Sequence, residues 1–81
     1  MILSVTRSTI RFQSGGRIAT IQAEMLLPMG AAHPDWVVYL SSLERWDPPF
    51  DDEVIDDAQR SIIHDEMQAE MKQYGKLAIF A

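Results

Sequence analysis

The 81-residue sequence contains no cysteine. That excludes a disulfide framework and any thiolate metal centre, and it fits a reducing compartment. Long apolar runs are also missing: none approaches the ~18 residues that suggest a membrane span. The N-terminal stretch MILSVTRSTIRF has no basic region followed by a long apolar region, so no signal peptide is expected. The expectation is a soluble, cytoplasmic protein with no membrane contact. Cations are scarce, with 7 lysines and arginines against 12 acids and a net charge of −5. The imbalance is uneven. Residues 1–46 carry four arginines against three acids, a net +1, whereas residues 47–81 carry nine acids against three cations, a net −6. Such a surface repels nucleic-acid phosphates and attracts basic proteins, so direct nucleic-acid binding is not expected. The short length points to one domain over 1–81 with no deep cleft between lobes. With 47% hydrophobic and 23% charged residues, the chain has the composition of a globular protein rather than a disordered one.

Patterning predicts the elements. ILSVT is a short β-branched strand, TRST a turn, and TIRFQ alternates with Ile10 and Phe12 on one face. Gly15-Gly16 suits the positive φ angles of a tight hairpin. RIATIQAEM then places Ala19, Ile21, Ala23 and Met25 on one face. The segment from Leu26 to Asp35 is a loop, broken by Pro28, Gly30 and Pro34. WVVYLSSL reads as a fourth strand. The stretch SSLERWDPPFDD follows, with two prolines between two aromatics and acids on either side. Its prolines fix their own φ and bias the preceding residue away from helix. Asp51 or Asp52 is the expected N-cap of a helix running to Tyr74, with Gly75 as its C′ stop. The stripe Ile55, Ala58, Ile62, Ile63, Met67, Met71 and Tyr74 can lie on a sheet. KLAIF closes the chain as a strand. The expected fold is α+β, order β-β-β-β-α-β: an antiparallel sheet, made of a four-strand N-terminal meander plus a C-terminal strand, packed on one long helix.

Little in this pattern suggests catalysis. His33 and His64 are the two histidines. HDEMQAE resembles a helical metal patch, but the positions three and four beyond His64 are Met67 and Gln68, which do not complete a zinc site. No serine sits in a nucleophile elbow, and Gly15-Gly16 is too short for a phosphate cradle. Carboxylates on an exposed helix face keep ordinary proton affinities, whereas acid–base chemistry needs environments that push two of them apart. No catalytic residue, metal or cofactor is expected.

The acids have two readings. Asp51, Asp52, Glu53, Asp56, Asp57, Asp65, Glu66 and Glu70 can simply cap and solubilise the helix. Yet Asp56-Asp57 extend the charge past the first turn of a helix starting at Asp51 or Asp52, and only Arg60 and Lys72 offer partners within it. Repulsion left standing in this way suits recruitment of a basic partner. Trp46 and Phe50 can cap the core, or at least one can project as an anchor on a proline-stiffened loop. The candidate partner-binding residues are Trp46, Asp47, Phe50, Asp51, Asp52, Asp56 and Asp57, with His64 and Asp65 beyond them.

Taken in order, a strand meander runs into AEMLLP (Ala23 to Pro28). A proline-containing loop, the strand segment DWVVYLSSLERWD (Asp35 to Asp47), an acid-rich helix and a short last strand follow. This arrangement resembles the small immunity proteins of bacterial polymorphic toxin systems, in particular the immunity protein 74 family, over nearly the whole chain. The resemblance implies a non-enzymatic antitoxin that binds the toxic domain of a secreted or contact-delivered toxin. Many such domains are nucleases or other effectors with basic clefts, which an acidic helix would suit. The proline pair at 48–49 maps onto no family motif. Two other functions stay open. One is a structural or self-associating module in which an exposed strand edge pairs with its twin; as an antitoxin the chain is expected to be a monomer or weak homodimer. The other is a small ligand-binding domain using residues 26–35 as a lid, with His33 lining the pocket.

Overall fold

The computed structural model describes residues 1–26 and 34–81. The expected lid, with His33, therefore lies almost entirely outside the described residues. Five strands form one sheet in spatial order β1-β2-β3-β4-β5: β1 Ile2–Val5, β2 Thr9–Ser14, β3 Arg17–Met25, β4 Trp36–Tyr39 and β5 Ala78–Phe80. The β2–β3 hairpin turns on Gly15 and Gly16, at φ 58° and 80°, where a β-branched or bulky residue would be strained. A register shift between Ile2 and Ser4 bulges β1 against β2.

The sheet is antiparallel except at one edge, where β4 and β5 run parallel, Trp36 opposite Ala78 and Val38 opposite Phe80. The sequence pointed to an antiparallel sheet of a four-strand meander plus a C-terminal strand, and the first four strands are antiparallel. The helix explains the parallel edge, because a long crossover between two neighbouring strands returns the chain in the same direction. β4 is also shorter than its apolar run. Leu40–Ser42 close into a single 3-10 turn, and the Ser42 hydroxyl donates to the Tyr39 carbonyl at 2.6 Å while accepting from the Gln22 amide at 2.9 Å.

Helix α1 spans Asp57–Gln73. The expected N-cap at Asp51 or Asp52 is displaced by four or five residues. Asp56 is the N-cap: its carboxylate accepts from the Gln59 amide at 2.8 Å, and the Gln59 side chain accepts from the Asp56 amide at 3.1 Å. This reciprocal capping box outcompetes Asp51 and Asp52, because Asp52 is followed three residues later by Ile55, which cannot return the bond. At the other end Gly75, at φ 69°, stops the helix as expected.

One face of the sheet and one stripe of α1 make the core. Ile10, Phe12, Ala19, Ile21, Ala23, Trp36 and Val38 meet Ile63, Met67 and Met71, with Leu43, Trp46 and Ile55 closing one end. Each large side chain buried in this way contributes about 1.5–3 kcal/mol. The helical stripe is narrower than its spacing suggested, for Ala58, Ile62 and Tyr74 are exposed. The α1 axis presents only the 63–67–71 row to the sheet. Met25, opposite the buried Trp36, is also exposed. The opposite face of the sheet carries Arg11, Thr20, Gln22 and Glu24 to solvent.

Candidate partner-binding corner

The chain leaves the 3-10 turn, makes a tight excursion and returns before α1 begins. Arg45 and Val54 pair as an isolated antiparallel bridge, and the Ile55 amide donates to the Glu44 carbonyl at 2.9 Å. Residues 46–53 form the loop above this neck. Two successive turns shape it, with the Phe50 amide bonded to the Asp47 carbonyl and the Glu53 amide to the Phe50 carbonyl, both at 3.0 Å. The Pro48–Pro49 peptide bond is cis.

Side chains of the sheet hold both ends of the loop. At its start the Asp47 amide donates to the Ile18 carbonyl at 2.7 Å. The Asp47 carboxylate accepts from the Thr20 hydroxyl at 2.9 Å and faces the Arg11 Nε at 3.8 Å. Asp47 thus belongs to the uncovered sheet face, where Arg11 and Thr20 are cross-strand partners. At its end Arg17 donates from Nε and a terminal nitrogen to the two oxygens of Glu53, at 2.9 and 3.2 Å. The same guanidinium lies 4.3 Å from the Phe50 ring centre. The hydrogen bond to Glu53, more than any other influence, raises the Arg17 pKa further above its ordinary value.

The two aromatic candidates have different surroundings. Trp46 is 6% exposed and packs in the core beside Leu43 and Ile55. It has almost no surface to offer a partner, so its role is to floor the loop rather than to project from it. Phe50 is half-buried, with its inner side on the core and Arg17 over its ring. An open cleft of about 300 Å³ next to the loop is lined by Trp46, Arg17, Gln59, Ile62 and Glu66, among others.

More of the acids have partners than the sequence suggested. Asp56 and Asp57 do not prolong the charge beyond the first turn; they are the cap and first residue of the helix, where the dipole favours anions. Asp57 pairs with Arg60 at 2.6 Å, and Arg60 also donates to the Leu43 carbonyl. Tertiary partners then take most of the rest. Glu53 has Arg17, Glu66 accepts from the Ser14 hydroxyl at 3.1 Å, and Glu70 accepts from the Ile2 amide at 2.9 Å. Asp65 lies 3.1 Å from His64, whose ring stands edge-on to Phe80 at 4.4 Å. Cations therefore meet Glu53, Asp57 and, at 3.8 Å through the terminal amine, Glu70, while Glu66 is hydrogen-bonded by a neutral donor that leaves its charge in place. Among the described residues, the acids of the cluster that keep an exposed carboxylate with no hydrogen bond or ion pair are Asp51 and Asp52, both in the loop.

Asp47, Phe50, Asp51 and Asp52 are thus gathered in one place, with Asp56 and Asp57 where the chain enters α1. His64 and Asp65 lie about two turns further along the helix. Sequence reasoning missed Arg17 and Val54. Arg17 meets Glu53 across 36 positions, and only the register of a distant strand brings the two together. Val54, 63% exposed, sits at the neck of the loop.

Fold and surface together describe a small α+β protein whose charged chemistry lies on an outward corner. The chain belongs to the immunity protein 74 family, whose model matches residues 2–80. Among curated proteins and solved structures no significant match was found.

Proposed function

We propose that this chain is an immunity protein that binds and neutralises a cognate, secreted or contact-delivered toxin in the cytoplasm of the cell that makes it. The family match across residues 2–80 carries this reading, since immunity proteins bind a cognate toxin and are not normally catalytic. The toxin surface is basic and nuclease-like, and it docks on the loop at 46–53 and the start of α1. Asp51 and Asp52 direct the docking there. They are exposed, lack counter-charges, and ride on a loop fixed by two prolines and two sheet contacts. A rigid loop loses little freedom on binding, so its charges act at full strength on a basic partner. Asp47, Phe50, Asp56 and Asp57 shape and support this surface. His64 and Asp65 sit at its far margin.

Asp51 and Asp52 also make the cleanest test, because reversing Asp56 or Asp57 would disturb the helix cap. The double variant D51K/D52K should fold normally, with stability changed by less than about 0.5 kcal/mol. Calorimetric titration with the toxin domain encoded beside the gene should show affinity reduced about tenfold or more, and a weaker dependence on salt. Wild-type affinity in the variant would remove these acids from the interface. A wild-type chain that neither binds nor protects cells from that domain would end the immunity reading.

A further inference from the structure

Resting on the docking surface just proposed, we infer that Arg17, the first residue of β3, is the positioning residue of the toxin-binding corner. It orders the loop that presents Asp51 and Asp52, and it does not itself meet the toxin.

Three contacts define this role. The Arg17 guanidinium forms a two-point fork on Glu53, at 2.9 and 3.2 Å. It also covers the ring of Phe50 at 4.3 Å. Phe50 and Glu53 flank Asp51-Asp52 in sequence, so one side chain grips the loop on both sides of the two free carboxylates. The other side-chain anchor, Asp47 on Thr20 and Arg11, lies before the prolines; after them the main chain is held by the turn from Phe50 to Glu53 and by the Arg45–Val54 bridge, and Arg17 adds the polar side-chain grip. A planar guanidinium suits this task, because it forks to a carboxylate and stacks on an aromatic face at once. The outward side of the loop is then Pro48, Pro49, Asp51 and Asp52, with the exposed Val54 at its neck. That mixture fits a toxin surface with cations around a small apolar seat.

The sign of the Arg17 effect separates positioning from simple charge. Removing Arg17 frees Glu53 and makes the corner more negative by one. If the corner worked through its field alone, R17M would bind a basic toxin more tightly. If Arg17 orders the loop, R17M binds more weakly, because the loop must now be ordered on binding. R17K keeps the charge but loses the fork and the stacking. A field-only corner would leave it at wild-type affinity.

The test combines calorimetric titration against the toxin domain encoded by the adjacent gene with 15N relaxation of the free chain. R17M should weaken binding about tenfold and R17K by a smaller factor. The amides of Asp51 and Asp52 should gain fast mobility in R17M while those of β2 and α1 do not. Wild-type or tighter affinity in R17M overturns the inference, as do unchanged amide order parameters at 51 and 52. The D51K/D52K variant serves as control. If it loses affinity and R17M does not, the positioning role alone fails and the docking surface stands. If neither loses affinity, both fail.

Discussion

Replacing Trp46 by alanine separates a core residue from a contact residue more sharply than any other single change. The ring is 6% exposed and packs with Leu43 and Ile55, both at 0%. Emptying such a site costs the transfer free energy of the ring plus the cavity left behind, together about 3–5 kcal/mol. A chain of this size has a total stability of about 4–12 kcal/mol, at 0.05–0.15 kcal/mol per residue. The variant should therefore remain folded only by a thin margin. Urea unfolding followed by far-ultraviolet circular dichroism avoids relying on the deleted fluorophore. With a slope of about 1–1.5 kcal/mol per molar urea for so small a protein, the midpoint should fall by at least ~2 M at unchanged slope. The fraction still folded should bind the toxin domain with an affinity close to wild type, since the exposed carboxylates lie outside the core. A stability loss below about 1 kcal/mol together with lost binding would reverse the assignment, making Trp46 a contact and not a floor.

The remaining predictions concern the helix cap and one phenol. Asp56→Ala removes one half of the capping box and should cost about 1 kcal/mol, read as a lower thermal midpoint with little change in helix content. Tyr39 donates to Glu24 at 3.0 Å, and that hydrogen bond, followed by the carboxylate's charge and by burial, raises the phenol's pKa above 10.0. The contact thus adds stability that is complete below the ordinary tyrosine range and fades as pH rises through the raised value. In a Tyr74→Phe background, ultraviolet absorbance of the phenolate should show Tyr39 titrating at lower pH once Glu24 is replaced by alanine. An unmoved midpoint would mean that the carboxylate is not the cause.

Those features that depend on neighbours in sequence were legible without coordinates. The alternation grouped Ile10 with Phe12 in β2, and Ala19, Ile21, Ala23 and Met25 in β3, and all of these but Met25 are buried. Gly15-Gly16 and Gly75 marked turns because only their backbones accept positive φ at low cost. The helix start was misplaced for a local reason too: Asp51, Asp52 and Asp56 are all able to cap, and the choice falls to the one with glutamine three positions on. What the sequence withheld is set by distance. The parallel pairing of β5 depends on where the helix lands. The burial of Trp46 depends on Leu43 and Ile55 closing around it. The partnering of the acids depends on Arg17, Ser14 and Ile2, which lie 36 to 68 positions away from them: a cation for Glu53 and neutral donors for Glu66 and Glu70. An acidic run therefore looked wholly exposed when several of its carboxylates were already held by donors from the sheet. For the candidate site, residue types could be read from the sequence, but the sorting into floor, clamp and free carboxylate could not.

The parallel β4–β5 edge has a consequence for timing. The loop at 46–53 lies inside the connection that this pairing closes, and the Leu77 amide reaches Asp35 across 42 positions to complete it. Contacts so distant in sequence form late, after the intervening chain has been synthesised and ordered. A nascent chain that has already exposed Asp51 and Asp52 thus still lacks the strand that latches the crossover on which they ride.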